Sequence, residues 1–396
     1  MNHPVGGQAG WPGAALQVPG RPPEWSGPLV EVERWEWSPA DGGDPGDGLA
    51  GLLDRYGLAG PPAEQRDEGV AVALLAGAAG CAALAGLPLP PPSPVPAVPE
   101  VVAVVVRRDP DGTRAPGGAG AAAVGEWSAS WSDDEHAGAV RRVQEAIARG
   151  EVYQANVVGH RSAPYTGDAR ALAAAVARLP GATYGGVLAG DGWTVGCASP
   201  EQLVRVDGRR VTTVPVKGTL PVTPGSAQRL RDSAKDRAEH VMIVDLERND
   251  LARVAVTGSV EVERLYALTE WAGLWQAGST VAGELRPGTG VPEVLRALLP
   301  GGSVTGAPKR AACALLADLE PVGRGPAMGA LGLLRPGGLD LGLTIRTVAL
   351  DDRRVHVWAG GGITWGSDPD AEVAEAHAKA GPVLRALAAA SSGPVP

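Results

Sequence analysis

"YGGVLAGDGWTVGCASPEQLVRVDGRRVTTVPVKGT", residues 184–219, strings together strand-length runs with hardly a break: YGGVLAG, WTVGCAS, EQLVRVDG and RRVTTVPVKGT. Just before it the periodicity changes: "DEHAGAVRRVQEAIARG" reads as a helix, "VYQANVVGHRSA" as a strand and "ARALAAAVARL" as a second helix. Runs of strands followed by runs of helices predict an α+β, layered architecture, and no repeat of fixed period appears. Lys217 stands where the last of these runs meets a Gly-Thr turn. A lysine there is either a solvated side chain at a strand end or a group kept for chemistry, and the local pattern leaves both open.

Upstream of this block the composition is different. Residues 1–125 mix strand candidates such as "PLVEVERWEW" and "EVVAVVV" with turn-rich tracts, a polyproline-type connector "PLPPPSPVPAVP" and the loose stretch "RRDPDGTRAPGGAGAAA". The expected organisation is a divergent N-terminal region over 1–125 followed by a catalytic domain over 126–390. From Gly69, "GVAVALLAGAAGCAALAGLPLPPP" carries no charge over a length that would cross a bilayer. Its Ala and Gly content, its lack of a flanking basic cluster and its closing prolines predict a buried strand and a small-residue helix instead of a membrane span.

The chain has 396 residues and a net charge of -9, with no basic stripe to neutralise phosphates, so a nucleic-acid partner is not expected. Cys81, Cys197 and Cys313 are far apart and show no metal-ligand or disulfide spacing. With no basic-then-apolar leader in "MNHPVGGQAGWPGAAL", the expected compartment is the cytoplasm.

Two acidic helix faces stand out. "SAKDRAEHVMIVDLERNDLARV" places Asp236 and Glu239 at i and i+3, and "SDPDAEVAEAHAKA", with Asp368 as N-cap and Pro369 in the first turn, places Glu372, Glu375 and Lys379 along one face. Should the helices converge, four carboxylates suit a hard cation such as magnesium; otherwise they are two solvated faces with a Glu375–Lys379 ion pair. The glycine-rich turn "PGGSVTGAPKRAA" and the triplet Gly360, Gly361 and Gly362 in "AGGGITWGSD" are either close-approach sites for an anionic ligand or tight structural turns. Arg346, in the apolar run "LGLTIRTVAL", needs a carboxylate partner from a ligand or from the chain itself.

Taken in order, "GEVYQANVVGHR", "SPEQLVRVDGRRVTTVPVKGT", "KDRAEHVMIVDLERNDLARV", "LPGGSVTGAPKRAA", "GPAMGALG", "LTIRT" and "GGGITWGSDPDAEVAEAHAKA" resemble the motif series of the chorismate-utilising enzymes over residues 137–388. The resemblance implies a large α/β/β/α sandwich of two facing sheets, with Mg2+ as cofactor and chorismate as substrate. Glu239 and Glu375 match the principal metal carboxylates, with Asp236 and Glu372 in support. Arg346 and the backbone of Gly360 to Gly362 match groups holding a substrate carboxylate, while Thr305 and Gly306 match positions lining the same pocket. Lys379, Gln276 and Gln154 fall at further substrate-contacting positions. Glu201 matches the acid that protonates the departing ring hydroxyl. Lys217 matches the lysine of the aminodeoxychorismate synthase branch, which attacks C2, where anthranilate synthases carry alanine. Gln154 stands where isochorismate and salicylate synthases carry a water-activating lysine.

The implied reaction is amination of chorismate at C4 by ammonia, with two alternatives: an anthranilate synthase component, in which ammonia attacks C2, and a catalytically weak chorismate-binding subunit. The chain shows no reactive-cysteine elbow, so the resemblance implies a separate glutamine amidotransferase subunit as partner. Departures from the family pattern are Gln276 for histidine and Leu333 for tyrosine, both expected near the substrate. Gly381-Pro382 is expected to interrupt the last helix.

Overall fold

The structure, a computed structural model, describes residues 29–109, 120–271 and 273–391. The N-terminal stretch read for a leader and most of the loose tract near residue 115 lie outside the described residues. In chain order the elements are β1 (Leu29–Trp37), α1 (Pro45–Arg55), β2 (Val70–Ala76), α2 (Ala78–Leu84), β3 (Val101–Arg108), β4 (Ala122–Val124) and β5 (Ser128–Ala129). Next come α3 (Asp133–Ala148), β6 (Gln154–Gly167), α4 (Ala169–Ala177), β7 (Tyr184–Gly190), β8 (Trp193–Ser199), β9 (Gln202–Asp207), β10 (Arg210–Val214) and β11 (Val216–Pro221). Then α5 (Ser226–Asp232), α6 (Ala234–Ala252), β12 (Glu261–Trp271), β13 (Leu274–Glu284), α7 (Val291–Leu298), β14 (Gly306–Ala307) and α8 (Lys309–Leu319) follow. The chain closes with β15 (Ala330–Arg335), β16 (Gly338–Leu343), β17 (Thr347–Leu350), β18 (Arg354–Ile363) and α9 (Pro369–Ala390).

Among the described residues these strands form a ten-stranded sheet, ordered β1-β3-β2-β15-β16-β9-β10-β13-β11 with β12 also on β13, and an eight-stranded sheet, ordered β14-β6-β18-β17-β8-β7 with β4 and β5 also on β6. Pairing between these strands is antiparallel throughout. The uncharged run divides as expected into the buried strand β2 and the small-residue helix α2, and no described helix is long and apolar enough to cross a membrane. The proline-rich connector is less of a spacer than its composition implies. Val95 and Val98 are buried in the core, and Gly323 N donates to Pro92 O at 2.9 Å.

Both sheets contribute to one shared core: Val195 and Cys197 from β8 and Trp358 from β18 meet Val204 from β9, Leu331 from β15 and Leu341 from β16. On the other face of the eight-stranded sheet, α4 and α9 bury Leu172, Val176, Val383 and Leu387 against Val348, Val355 and Val357, and α3 and α8 cover β6. Covered on both faces, β8 is buried along its whole length, which is why its sequence is apolar without clean alternation. The layers are those of the expected sandwich.

Two departures from the sequence reading matter for the site. "LGLTIRTVAL" is not one strand. The chain leaves the ten-stranded sheet after β16 and enters the eight-stranded sheet at β17, with Arg346 in the gap at φ +51°. A second crossing, from β8 to β9, carries Glu201. The two crossings lie side by side, since Ala198 N donates to Arg346 O at 3.2 Å and Leu343 N to Glu201 O at 3.1 Å. The last helix, moreover, is not interrupted at Gly381-Pro382: α9 runs through both residues to Ala390. Proline removes one helical donor there, yet burial of Pro382, Val383 and Leu387 outweighs that loss.

Candidate active site

The paired crossings open onto a cleft that encloses about 950 Å³, its mouth included. Glu201 and Arg346 line it together with Lys217 from β11, Gln276 from β13, Asp236 and Glu239 from α6, and Glu372, Glu375 and Lys379 from α9. Residues spread over much of the chain thus face one space, and the Glu375–Lys379 ion pair expected from their spacing is also present.

Lys217 lies within β11 and lines the cleft. The pairing of β11 with β13 slips between Val216 and Thr219, and Gly218 takes φ +89°, which turns the strand edge toward the cleft. The residue keeps some exposed surface, but its amine is enclosed by protein, and this desolvation holds the lysine pKa below its ordinary value. Glu239, Glu375 and Glu372 oppose that shift while Lys379 reinforces it. Beneath it, His240 Nδ1 lies 3.3 Å from Lys217 O, and its other ring nitrogen bonds Ser279 Oγ.

The glycine triplet in β18 explains how the amine fits. A Cβ on Gly362 would collide with Lys217 Nζ and lie 3.1 Å from Gln154 Nε2, while one on Gly361 would lie 3.0 Å from Glu372 Oε2. Gly360 has a different constraint: a Cβ there would strike the Val157 carbonyl in the neighbouring strand, and Gly360 O accepts from Lys379 Nζ at 3.0 Å. Gln154 is buried beside this floor.

Glu201 is buried, and burial raises its carboxyl pKa. Ser303 Oγ donates to Oε1 at 2.6 Å and Val216 N at 3.2 Å, and these bonds, with Lys217 and Arg346, pull the pKa back down. Arg346 is buried too, and desolvation pushes its pKa down to about 9 despite the nearby Glu201 charge. Arg346 and Met328, at φ +51° and +59°, are both non-glycine residues in the left-handed region, and both line the cleft.

Some expected positions fall elsewhere. Thr305 spends its hydroxyl on Gly301 O at 2.8 Å and faces a separate small cavity beside α8, and Gly306 is taken up by pairing with Ala155. Neither lines the cleft, because the short strand β14 turns that loop away from it. Leu333 is likewise part of the shared core, in the middle of β15, and not of the cleft. Sequence reasoning missed Ser303, which lay inside the quoted glycine-rich turn but is identified as the Glu201 partner only by the fold.

The donor set suits a hard cation in kind, with four carboxylates on two helices facing one cleft. In the arrangement seen, Glu239 Oε1 accepts from Thr364 Oγ1 at 3.0 Å, Glu372 Oε1 from Ser367 Oγ at 2.6 Å, and Glu375 Oε1 pairs with Lys379 Nζ at 2.6 Å. Among the described residues no three acidic, histidine or cysteine side chains stand close enough to grip an ion without rearranging.

Residues 103–385 of the chain that builds this fold and cleft match the family of chorismate binding enzymes, and the chain belongs to that family. Among individual relatives it is 35% identical over 269 residues to aminodeoxychorismate synthase component 1 of Escherichia coli, covering 66% of this chain and 59% of that protein. It is 39% identical over 269 residues to anthranilate synthase component 1 of Streptomyces coelicolor, covering 66% of this chain and 53% of that protein. The chain thus spans little more than half the length of these relatives. The structure of anthranilate synthase component I from Streptococcus pneumoniae superposes with a TM-score of 0.74 at 22% identity, over 89% of this chain and 91% of that one, which shows the shared fold.

Proposed function

We propose that this chain aminates chorismate at C4 with ammonia, giving 4-amino-4-deoxychorismate and water. The observation that carries this reading is the Lys217 amine, desolvated in the cleft and seated against Gly362. A neutral lysine amine is a nucleophile, and enclosure favours the neutral form.

In this reading the Lys217 nitrogen bonds to C2 of the ring, both ring double bonds shift (C1=C2 to C1=C6 and C5=C6 to C4=C5), and the C4–O bond breaks. Protonated Glu201 gives its proton to the leaving hydroxyl, which departs as water. Ammonia then bonds to C4, both double bonds return to C5=C6 and C1=C2, the C2–N bond breaks with its electron pair on nitrogen, and Lys217 is released as a neutral amine. Glu201, now a carboxylate, takes the extra proton from the new C4 amine and is restored. Arg346 and the backbone of Gly360 to Gly362 orient a substrate carboxylate. Glu239 and Glu375, with Asp236 and Glu372 in support, would hold magnesium, which would supply a hard positive charge for the ring carboxylate. Gln154 next to the lysine cannot serve as a base, which disfavours water as nucleophile. Ammonia is supplied by a separate glutamine amidotransferase subunit.

The 39% identity to an anthranilate synthase component favours a second reading, in which ammonia attacks C2 and pyruvate is eliminated. Incubation with chorismate, Mg2+ and ammonium separates the two: a 4-amino product retaining its enolpyruvyl group is expected, whereas anthranilate with pyruvate would overturn the proposal. With ammonia withheld, mass spectrometry should find a chorismate-derived adduct on the Lys217 peptide. Lys217→Ala should lose the adduct and 4-amination while still binding chorismate.

A further inference from the structure

The turn between β18 and α9 touches two of the four carboxylates, and it does so from a single four-residue loop. Thr364 Oγ1 donates to Glu239 Oε1 on α6 at 3.0 Å, and Ser367 Oγ donates to Glu372 Oε1 on α9 at 2.6 Å. The loop is closed on itself: Thr364 N donates to Ser367 Oγ at 3.1 Å and Ser367 N to Thr364 O at 3.2 Å. It is also tethered from outside, because Gln144 Nε2 on α3 donates to Trp365 O at 3.1 Å and to Ser367 O at 2.7 Å. Ser367 is buried, so its hydroxyl is not a chance surface contact.

We infer that Thr364 and Ser367 are positioning residues for the cation, each fixing one carboxylate that would hold it. The inference rests on the metal reading of the acidic residues given above. A hydroxyl bonded to one carboxylate oxygen restricts rotation of the whole group, so Glu239 and Glu372 start from defined positions when the carboxylates draw together around an ion. Glu239 and Glu372 belong to different helices, and the closed turn gives both a common reference. Partners of this kind, which touch a ligand side chain and not the ion, commonly contribute about 10- to 100-fold in metal affinity.

The test is a calorimetric titration of Mg2+ into the metal-stripped chain, with and without chorismate, alongside melting temperatures in chelator. Thr364→Val and Ser367→Ala should each bind Mg2+ about 10- to 100-fold more weakly, and Thr364→Ser should bind like the wild type because it keeps the hydroxyl. Gln144→Ala, at a partly exposed helix position, provides a second route to loosening the turn should Ser367→Ala fold poorly, and should also weaken binding. Wild-type affinity in Thr364→Val and Ser367→Ala, with Glu239→Gln deficient, would overturn the positioning role alone. Wild-type affinity in Glu239→Gln and Glu375→Gln would overturn the metal reading beneath it and the inference with it.

Discussion

Gly360 and Gly362 are two residues apart on one strand and would fail for opposite reasons. A side chain at Gly360 meets a backbone carbonyl of β6, which can move only if the β6–β18 ladder opens. At Gly362 the obstacle is the far end of a lysine, which can swing aside. Gly360→Ala should therefore lose stability, by about 1–3 kcal/mol as for other overpacked sites, seen as a lower denaturation midpoint. Gly362→Ala should fold with a nearly unchanged midpoint yet lose about 100-fold in turnover, the usual consequence of displacing a reacting group by an ångström. The sequence displays three consecutive glycines and supports a close approach to something. It cannot show that one glycine answers to a neighbouring strand and another to Lys217, because those neighbours are set by register between distant segments.

At the scale of elements, the site depends on where strands stop. The helix α6 was legible from its apolar centre and α9 from its Asp368 cap, which the structure keeps, while the Ser233 cap of α6 went unread. The sheet crossings were not, since an apolar run interrupted by one arginine looks like a single strand until its positive φ is known. The pairing of the Glu201 segment with the turn at 302–304 follows from those crossings and yields a test. The Ser303 hydrogen bond favours the ionised carboxylate, so removing it lets burial raise the Glu201 pKa further. With Glu201 as the acid, Ser303→Ala should keep it protonated to higher pH and move the alkaline limb of kcat/KM upward. A limb that stays put or moves downward would argue against Glu201 as the proton donor.

For the molecule as a whole, the proposed division of labour with an amidotransferase predicts that this chain uses ammonium but not glutamine, and gains glutamine use when the partner is added. Glutamine-dependent turnover by the chain alone would contradict it. The layered fold was legible from the alternation of strand and helix runs, whereas the place of the N-terminal strands was not: β2 hydrogen-bonds to β15, far along the chain, and composition carries no trace of that pairing.

The four carboxylates hang from different layers of the sandwich. Asp236 and Glu239 ride on α6, which packs against β11 and β13 of one sheet, while Glu372 and Glu375 ride on α9, which packs against β18 of the other. An ion gripping all four would act as a clasp fastening the two slabs together, so occupancy should be felt mechanically as well as chemically. Saturating Mg2+ should raise the melting temperature, by the equivalent of about 2.7 kcal/mol at a hundred times its dissociation constant. It should also slow amide exchange in α6 and α9 together, and Glu375→Gln should abolish both effects. Exchange slowed in one helix only would mean that the clasp does not close.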